Sequence, residues 1–153
     1  MRPDKGAGVK PGPVRIVRMQ PGDEATVKRA ESLFDDPVDL PATRAFLADA
    51  RHHLLIAFTE KDEPAGFVTA VELLHPDDSN PEMFLNELGV EPQFRRRGIA
   101  TALLEELIQL CNSRGCSEMW LGTEEENTPA IRTYEATGAR KENFLLFTYE
   151  VEV

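Results

Sequence analysis

Glu87-Leu88-Gly89-Val90-Glu91-Pro92-Gln93-Phe94-Arg95-Arg96-Arg97-Gly98-Ile99-Ala100 is the stretch on which the fold turns. Its apolar start reads as a strand ending at Val90, and a short arginine-rich turn then leads into a helix. The first amides of a helix have no partners within it and lie at the positive end of its dipole. Such an end receives phosphate well. Gly98 removes a side chain where the backbone must come close, Ala100 keeps the next turn small, and Arg95, Arg96 and Arg97 add positive charge. Read from its residues, the segment is either a pyrophosphate cradle or a helix start with solvated arginines. It matches neither G-x-x-x-x-G-K-S/T nor G-x-G-x-x-G.

Downstream, Gly98 to Ser113 places Ile99, Leu103, Leu107, Leu110 and Cys111 at helical spacing, with Gly115 to stop it. Ser117 to Leu121 reads as a strand, Gly122 to Glu126 as an acidic loop, and Thr128 to Thr137 as a helix closed by Gly138. Phe144 to Val153 alternates, with Leu145, Phe147, Tyr149, Val151 and Val153 on one face. Upstream, Val14 to Met19 reads as an edge-like strand. A helix follows from Pro21-Gly22-Asp23 to about Phe34, with Asp23 as N-cap, and a second from Pro41 to about Ala50. His53 to Thr59 and Ala65 to Leu74 form a hairpin across Lys61–Pro64. After the polar loop His75–Pro81 comes the strand Glu82 to Val90. The order β-α-α-β-β-β-α-β-α-β predicts an α/β fold of the α+β type, a mixed, mostly antiparallel sheet flanked by helices.

The chain has 153 residues, enough for one domain, expected over 14–153 behind a flexible tail of residues 1–13. Its 17 basic and 27 acidic residues leave a formal charge of −10, which argues against a phosphate-backbone binder and so against a nucleic-acid partner. An acidic surface either aids solubility or concentrates cationic ligands. No apolar run approaches the roughly 20 residues that span a bilayer, and the tail lacks a signal peptide's apolar core. Cys111 and Cys116 are too few for a disulfide scaffold and lack the partners of a zinc site. These features predict a cytoplasmic protein with no membrane partner and no metal. His52, His53 and His75 show no metal spacing and read as surface or strand-end residues. The alternating C-terminal segment permits pairing across a homodimer.

Two motifs together carry a resemblance. Arg95-x-x-Gly98-x-Ala100 after a strand resembles the Q/R-x-x-G-x-G/A acetyl-CoA signature of the Gcn5-related N-acetyltransferase (GNAT) superfamily. Asn127-Thr128-Pro129-Ala130 through Tyr134 to Gly138 is similar to its N-x-x-A-x-x-x-Y-x-x-x-G motif. One helix and one strand separate them, and the resemblance covers the chain from Val14 onward. Within the superfamily, Glu82–Val90, RRRGIATALL and Thr128 to Tyr134 look like the aminoglycoside 3-N-acetyltransferase group. The region between the first helix and Arg51 is shorter here.

The resemblance implies a sheet splayed between its fourth and fifth strands, and acetyl-CoA as co-substrate. Coenzyme A would be held by Leu88, Gly89, Val90, Arg95, Arg96, Arg97, Gly98, Ile99, Ala100, Thr101, Asn127, Ala130 and Tyr134. The amides from Arg96 to Ala100 would take the pyrophosphate, and Arg95 would help through its side chain. The backbone of Leu88 and Val90 would pair with the pantetheine arm, with Gly89 at a bulge aiming an N–H at the thioester oxygen. Tyr134 would protonate the leaving thiolate, or is an ordinary core tyrosine; Asn127 would cap its helix or touch the pantetheine arm. A protonated amine must lose a proton before it attacks, and Glu87 is the leading base, against a plain surface glutamate. Glu124 and Glu125, with Glu87 and Glu72, would bind a small cationic amine. Glu126, Asp77 and Asp78 are weaker acids of the same kind. Cys111 is a poor acyl carrier, so direct attack in a ternary complex is expected. Peptide N-acetylation and non-catalytic coenzyme binding remain alternatives.

Overall fold

The computed structural model describes residues 14–153; the expected N-terminal tail lies outside them. The chain divides into two compact units, one ending at Gly122 and the other running from Thr123 to Val153.

The first unit is a five-stranded sheet in the order β1-β2-β3-β4-β5: β1 (Val14–Arg18), β2 (His52–Thr59), β3 (Pro64–His75), β4 (Asp78–Val90) and β5 (Met119–Trp120). The first four run antiparallel and β5 lies parallel to β4. The polar loop expected at His75–Pro81 is instead a tight turn, because Asp78 already pairs with His75. Between β1 and β2 lie α1 (Glu24–Arg29), a 3-10 turn at Glu31–Leu33, and α2 (Leu40–Ala48). Asp23 precedes α1 but does not cap it; its carboxylate accepts from the Gln20 amide instead. Asp39 caps α2, accepting from the Ala42 amide at 2.8 Å.

One face of the sheet, carrying Leu54, Ile56, Phe58 and Phe67, packs against Val27, Ala30 and Leu47 of α1, α2 and their link. The other is covered by α3 (Ile99–Arg114), which buries Ile99, Leu103, Leu104, Leu107 and Cys111. Two glycines allow these contacts. A Cβ on Gly66 would stand 3.1 Å from Ile99 Cγ2 and 3.0 Å from the Gly89 carbonyl oxygen, so α3 settles onto β3 only over a bare Cα. A Cβ on Gly89 would stand 2.9 Å from the Phe67 ring, which is itself fixed edge-on to Phe34 at 4.8 Å. Gly89 pairs in register with Phe67, so it is not the bulge expected there. The extra residue is Asn86, between the pairs Thr69–Glu87 and Ala70–Leu85.

Under α3 the sheet holds a buried ionic cluster that contradicts the surface reading of His53, which is 1% exposed. Arg18 lies 3.0 Å from His53 Nδ1, and His53 Nε2 lies 2.7 Å from Glu72 Oε2. Arg114 of α3 donates its Nε–H to the same oxygen at 2.7 Å. Arginine is donor only, so His53 accepts at Nδ1 and donates from Nε2 as a neutral ring. Burial holds the His53 pKa below its usual range, helped by the charges of Arg18 and Arg114 and opposed by Glu72. Burial alone would raise Glu72, but its hydrogen bonds from Arg114 and His53 outweigh that and hold it down.

The second unit contains α4 (Thr128–Ala136), capped by Asn127, whose Oδ1 accepts from the Ala130 amide at 3.4 Å. Gly138, at φ 101°, ends it, and the Ala139 amide reaches back to the Tyr134 carbonyl at 3.0 Å. Within this unit taken by itself, Phe144–Val153, expected as a strand, has no strand partner. Alternation gives a strand its two faces but no partner for its backbone.

Glu72→Ala leaves His53 and Arg114 without their carboxylate and is expected to cost roughly 3 kcal/mol in denaturant unfolding, the low end for a buried pair because Arg114 is partly exposed. As pH falls below about 6.5 the unfolded chain protonates its histidine before buried His53 does. Stability is therefore full above that pH and is lost as pH falls through the lower folded value, with Glu72 adding a loss further into acid. A Tm that is flat across this range would contradict the cluster. Gly89→Ala is expected to cost about 1–3 kcal/mol by overpacking, with part returned by Phe67→Leu in the same chain. A fully stable Gly89→Ala single variant would show that the ring gives way freely.

Candidate functional site

The parting of β4 from β5 creates the site in the first unit. The two strands pair only at Met83–Met119 and Phe84–Trp120. β5 then ends, while β4 continues to Val90, so within the first unit the edge of Leu85–Val90 away from β3 has no neighbouring strand. The sheet is thus splayed between its fourth and fifth strands, as expected from the resemblance.

At the end of that edge the chain makes a 3-10 turn at Pro92–Phe94 and enters α3 through two left-handed residues, Arg96 at φ 63° and Gly98 at φ 77°. A left-handed conformation suits glycine but costs an arginine about 1 kcal/mol or more, and such strain collects at binding sites. Gly98 is the N-cap of α3 and offers no side-chain bond to the helix amides. Turns of alternating hand make concavities of converging N–H groups that suit anions. Arg96 and Arg97 are exposed, with the Arg97 guanidinium 5.4 Å from the Phe94 ring centre. The Arg95 Nε–H donates to the Val90 carbonyl at 3.2 Å, tying the turn to the end of β4.

The bulge at Asn86 decides which side chains face the opening. Strict alternation would send Phe84 and Glu87, three residues apart, to opposite faces. With Asn86 inserted, Phe84 pairs with Val71 and Glu87 with Thr69, two residues on the same face of β3 as Phe67. Glu87 is exposed there and its carboxylate is oriented by the Thr69 hydroxyl, which donates at 3.2 Å. Beside it stands an aromatic pair that the sequence reading missed. Trp120, 42% exposed, lies 4.6 Å from the Phe84 ring and donates its indole N–H to Glu82 at 3.0 Å. The pairing of Phe84 with Trp120 on the face of Glu87 is visible only once the bulge is known.

Other candidates fall elsewhere. Glu72 sits on the opposite face of β3 from Thr69, buried under α3 with His53 and Arg114, so it does not join Glu87. Asp78 begins β4, about 30 Å along the strand from Glu87, and Asp77 precedes it in the turn. Cys111 is buried, and burial, with neighbouring Cys116, pushes its thiol pKa up to about 12, which leaves it an inert thiol. In the second unit, Glu124, Glu125 and Glu126 are exposed ahead of α4, and the Glu124 carbonyl accepts from the Asn127 amide. Tyr134 is half-buried on α4, and burial raises its pKa, so it keeps its proton at neutral pH. Among the described residues no cluster of histidine, cysteine or acids could hold a metal ion, and no helix is long and apolar enough to cross a membrane.

Residues 22–139 match the sequence model of the acetyltransferase (GNAT) family. A ribosomal protein bS18-alanine N-acetyltransferase of Haemophilus ducreyi is 34% identical over 86 residues, 56% of this chain and 55% of that protein. An aminoglycoside N(6')-acetyltransferase type 1 of Salmonella typhimurium is 34% identical over 70 residues, 46% of this chain and 48% of that protein. The chain thus aligns with about half the length of these curated relatives. The solved structure of AAC(6')-Iy, in complex with the bisubstrate analogue CoA-S-monomethyl-acetylneamine, superposes with a TM-score of 0.75 at 24% identity, covering 92% of this chain and 99% of that one. That likeness is one of fold. The aminoglycoside enzymes found whose acetylated position is named are 6′ types, which overturns the expected likeness to the 3-N group. The motif residues are common to the superfamily and carry no regiochemistry, so they misdirected that finer reading. With the family's sequence pattern running from Gly22 to Ala139 and its splayed sheet in place, this chain belongs to the acetyltransferase (GNAT) family.

Proposed function

We propose that this protein transfers the acetyl group of acetyl-CoA to a primary amine of a small polycationic acceptor of the aminoglycoside kind, by direct attack in a ternary complex. The observation that carries the reading is the continuity of the open β4 edge with the uncapped start of α3. An extended, amide-bearing arm ending in a pyrophosphate matches such a track, the arm adding to a strand edge and the anion meeting helix amides. The amides from Arg96 to Thr101 would hold the pyrophosphate, and the backbone of Leu88 and Val90 would meet the arm. Acetyl-CoA supplies the acetyl group as a thioester, already activated toward amines.

The chain's own groups then have two protons to move. Glu87, held by Thr69, takes the proton that the acceptor ammonium must lose, directly or through a water. Tyr134, kept protonated by burial, would give its proton to the departing thiolate. Asn127 acts as a cap, and with Ala130 sets the first turn of the helix that carries Tyr134. The formal charge of −10 draws a polycation, and Glu82 and Glu87 place carboxylates on the face of the opening. The exposed indole of Trp120 adds a flat apolar wall of the sort on which a sugar ring or an ammonium group rests. Glu124 and Glu125 are proposed as further acceptor contacts.

The bS18-alanine relative favours a second reading, acetylation of a peptide N-terminus. Thiol release from acetyl-CoA across aminoglycosides, polyamines, amino acids and peptides separates the two. Turnover with aminoglycosides and not peptides is expected; the reverse pattern establishes the second reading, and release with no amine removes both. Glu87→Gln and Tyr134→Phe are each expected to lower kcat by ~10²-fold or more, the usual scale for a general base or acid. Wild-type rates in either variant would remove that assignment. Trp120→Ala is expected to raise the acceptor KM about tenfold with the acetyl-CoA KM unchanged, as loss of roughly 1 kcal/mol or more of ring contact requires. An unchanged acceptor KM would take Trp120 out of the site.

A further inference from the structure

We infer that the first unit holds a second small-molecule site, for a free α-amino acid with a branched apolar side chain, between the edge strand β1 and the later turns of α3. A cavity of about 300 Å³ lies there, near the lower bound of small-ligand pockets. Ile16 and Arg18 stand two apart on β1 and so share a face of the sheet, and Arg18 pairs in register with Leu55 of β2. Across from them α3 contributes Glu106, Gln109, Leu110 and Ser113, one helical stripe at i, i+3, i+4 and i+7. Ile16, Leu55 and Leu110 give the cavity an aliphatic lining. Glu106 lies about 10 Å along α3 from Ile99, and the cavity shares no residue with the proposed coenzyme track.

The charges of the lining select the occupant. Arg18 is half-buried and always charged, and its Nη2 meets only the Nδ1 of His53, a neutral ring. Among the described residues Arg18 has no carboxylate partner, and its Nε is buried without a hydrogen bond. Glu72, the acid of the neighbouring cluster, is taken up by His53 and Arg114. A sheltered cation without a counter-ion is costly, and a carboxylate in the cavity supplies one. On the helical side Glu106 and Gln109 are exposed, and among the described residues their side chains have no partner. Glu106 repels a simple anion but accepts from an ammonium group. The two walls therefore match a zwitterion, its carboxylate toward Arg18, its ammonium toward Glu106 and its side chain on the aliphatic lining. A free amino acid carries both charges on one carbon, as a cavity this small requires; a peptide terminus carries only one of them.

L-Leucine, titrated to roughly 10 mM into the isotope-labelled full chain, tests the site through backbone amide shifts. Saturable changes are expected at Ile16 to Arg18, at Leu55 and from Glu106 to Ser113, with Leu88, Val90 and the amides from Arg96 to Thr101 still. Leucinamide lacks the carboxylate, 4-methylpentanoate the ammonium and glycine the side chain, and each is expected to bind about tenfold or more weaker than leucine. Arg18→Gln and Glu106→Gln are each expected to weaken leucine by a similar factor. Arg18 also supports His53, so where its variant fails to fold, Glu106→Gln on the exposed side of α3 makes the test alone. No saturable change at these amides, changes centred on the coenzyme track, leucinamide or 4-methylpentanoate binding as well as leucine, or parental affinity in Glu106→Gln would each overturn the site.

Discussion

The constraint from which the rest of the site follows is the early end of β5. Hydrogen bonding along two parallel strands would have carried on past Phe84 and Trp120 had β5 been longer. Because it stops, the backbone of Leu85–Val90 keeps one edge without a neighbouring strand in the first unit, and an unpaired strand edge is costly unless something else meets it. The turn that follows compounds the effect. Arg96 and Gly98 adopt left-handed backbone, and α3 begins without a side-chain cap. A free strand edge that runs into an uncapped helix start is a single extended polar surface, and the proposed role of the protein is a use for it.

Holding that surface in place requires a rigid background. Gly66 and Gly89 let α3 and Phe67 close on β3 and β4 from opposite sides, and the His53–Glu72–Arg114 cluster pins the far end of α3 to the sheet. Arg95 ties the turn to Val90. The near end of α3, by contrast, keeps its amides unspent. The ionic cluster also explains why Glu72 has no place among acceptor-binding acids. It already accepts from His53 and pairs with Arg114 under the helix, and a carboxylate so engaged has little to offer a second cation.

Much of the first unit was legible because local signals and tertiary packing agree there. The glycine-arginine turn, the periodicity of α3 and the two antiparallel hairpins each follow from nearby residues, and the two motifs identified the superfamily. What stayed hidden depends on register and burial. Nothing in EMFLNELGV announces that Asn86 rather than Gly89 is the inserted residue, yet this one shift brings Phe84 and Glu87 to a common face. Gly89 looked like a bulge because glycine relaxes backbone; its actual constraint is the Phe67 ring across the ladder. His53 looked peripheral because its partners, Arg18, Glu72 and Arg114, are scattered along the chain.

The central claim is that the β4 edge and the start of α3 form one binding track for coenzyme A. Backbone amide shifts of isotope-labelled protein, followed during titration with coenzyme A, test it directly. The account predicts saturable changes concentrated at Leu88, Val90 and the amides from Arg96 to Thr101, with those of β1 and α2 nearly still. Saturable binding that leaves these amides unmoved, or no binding at all, would contradict it.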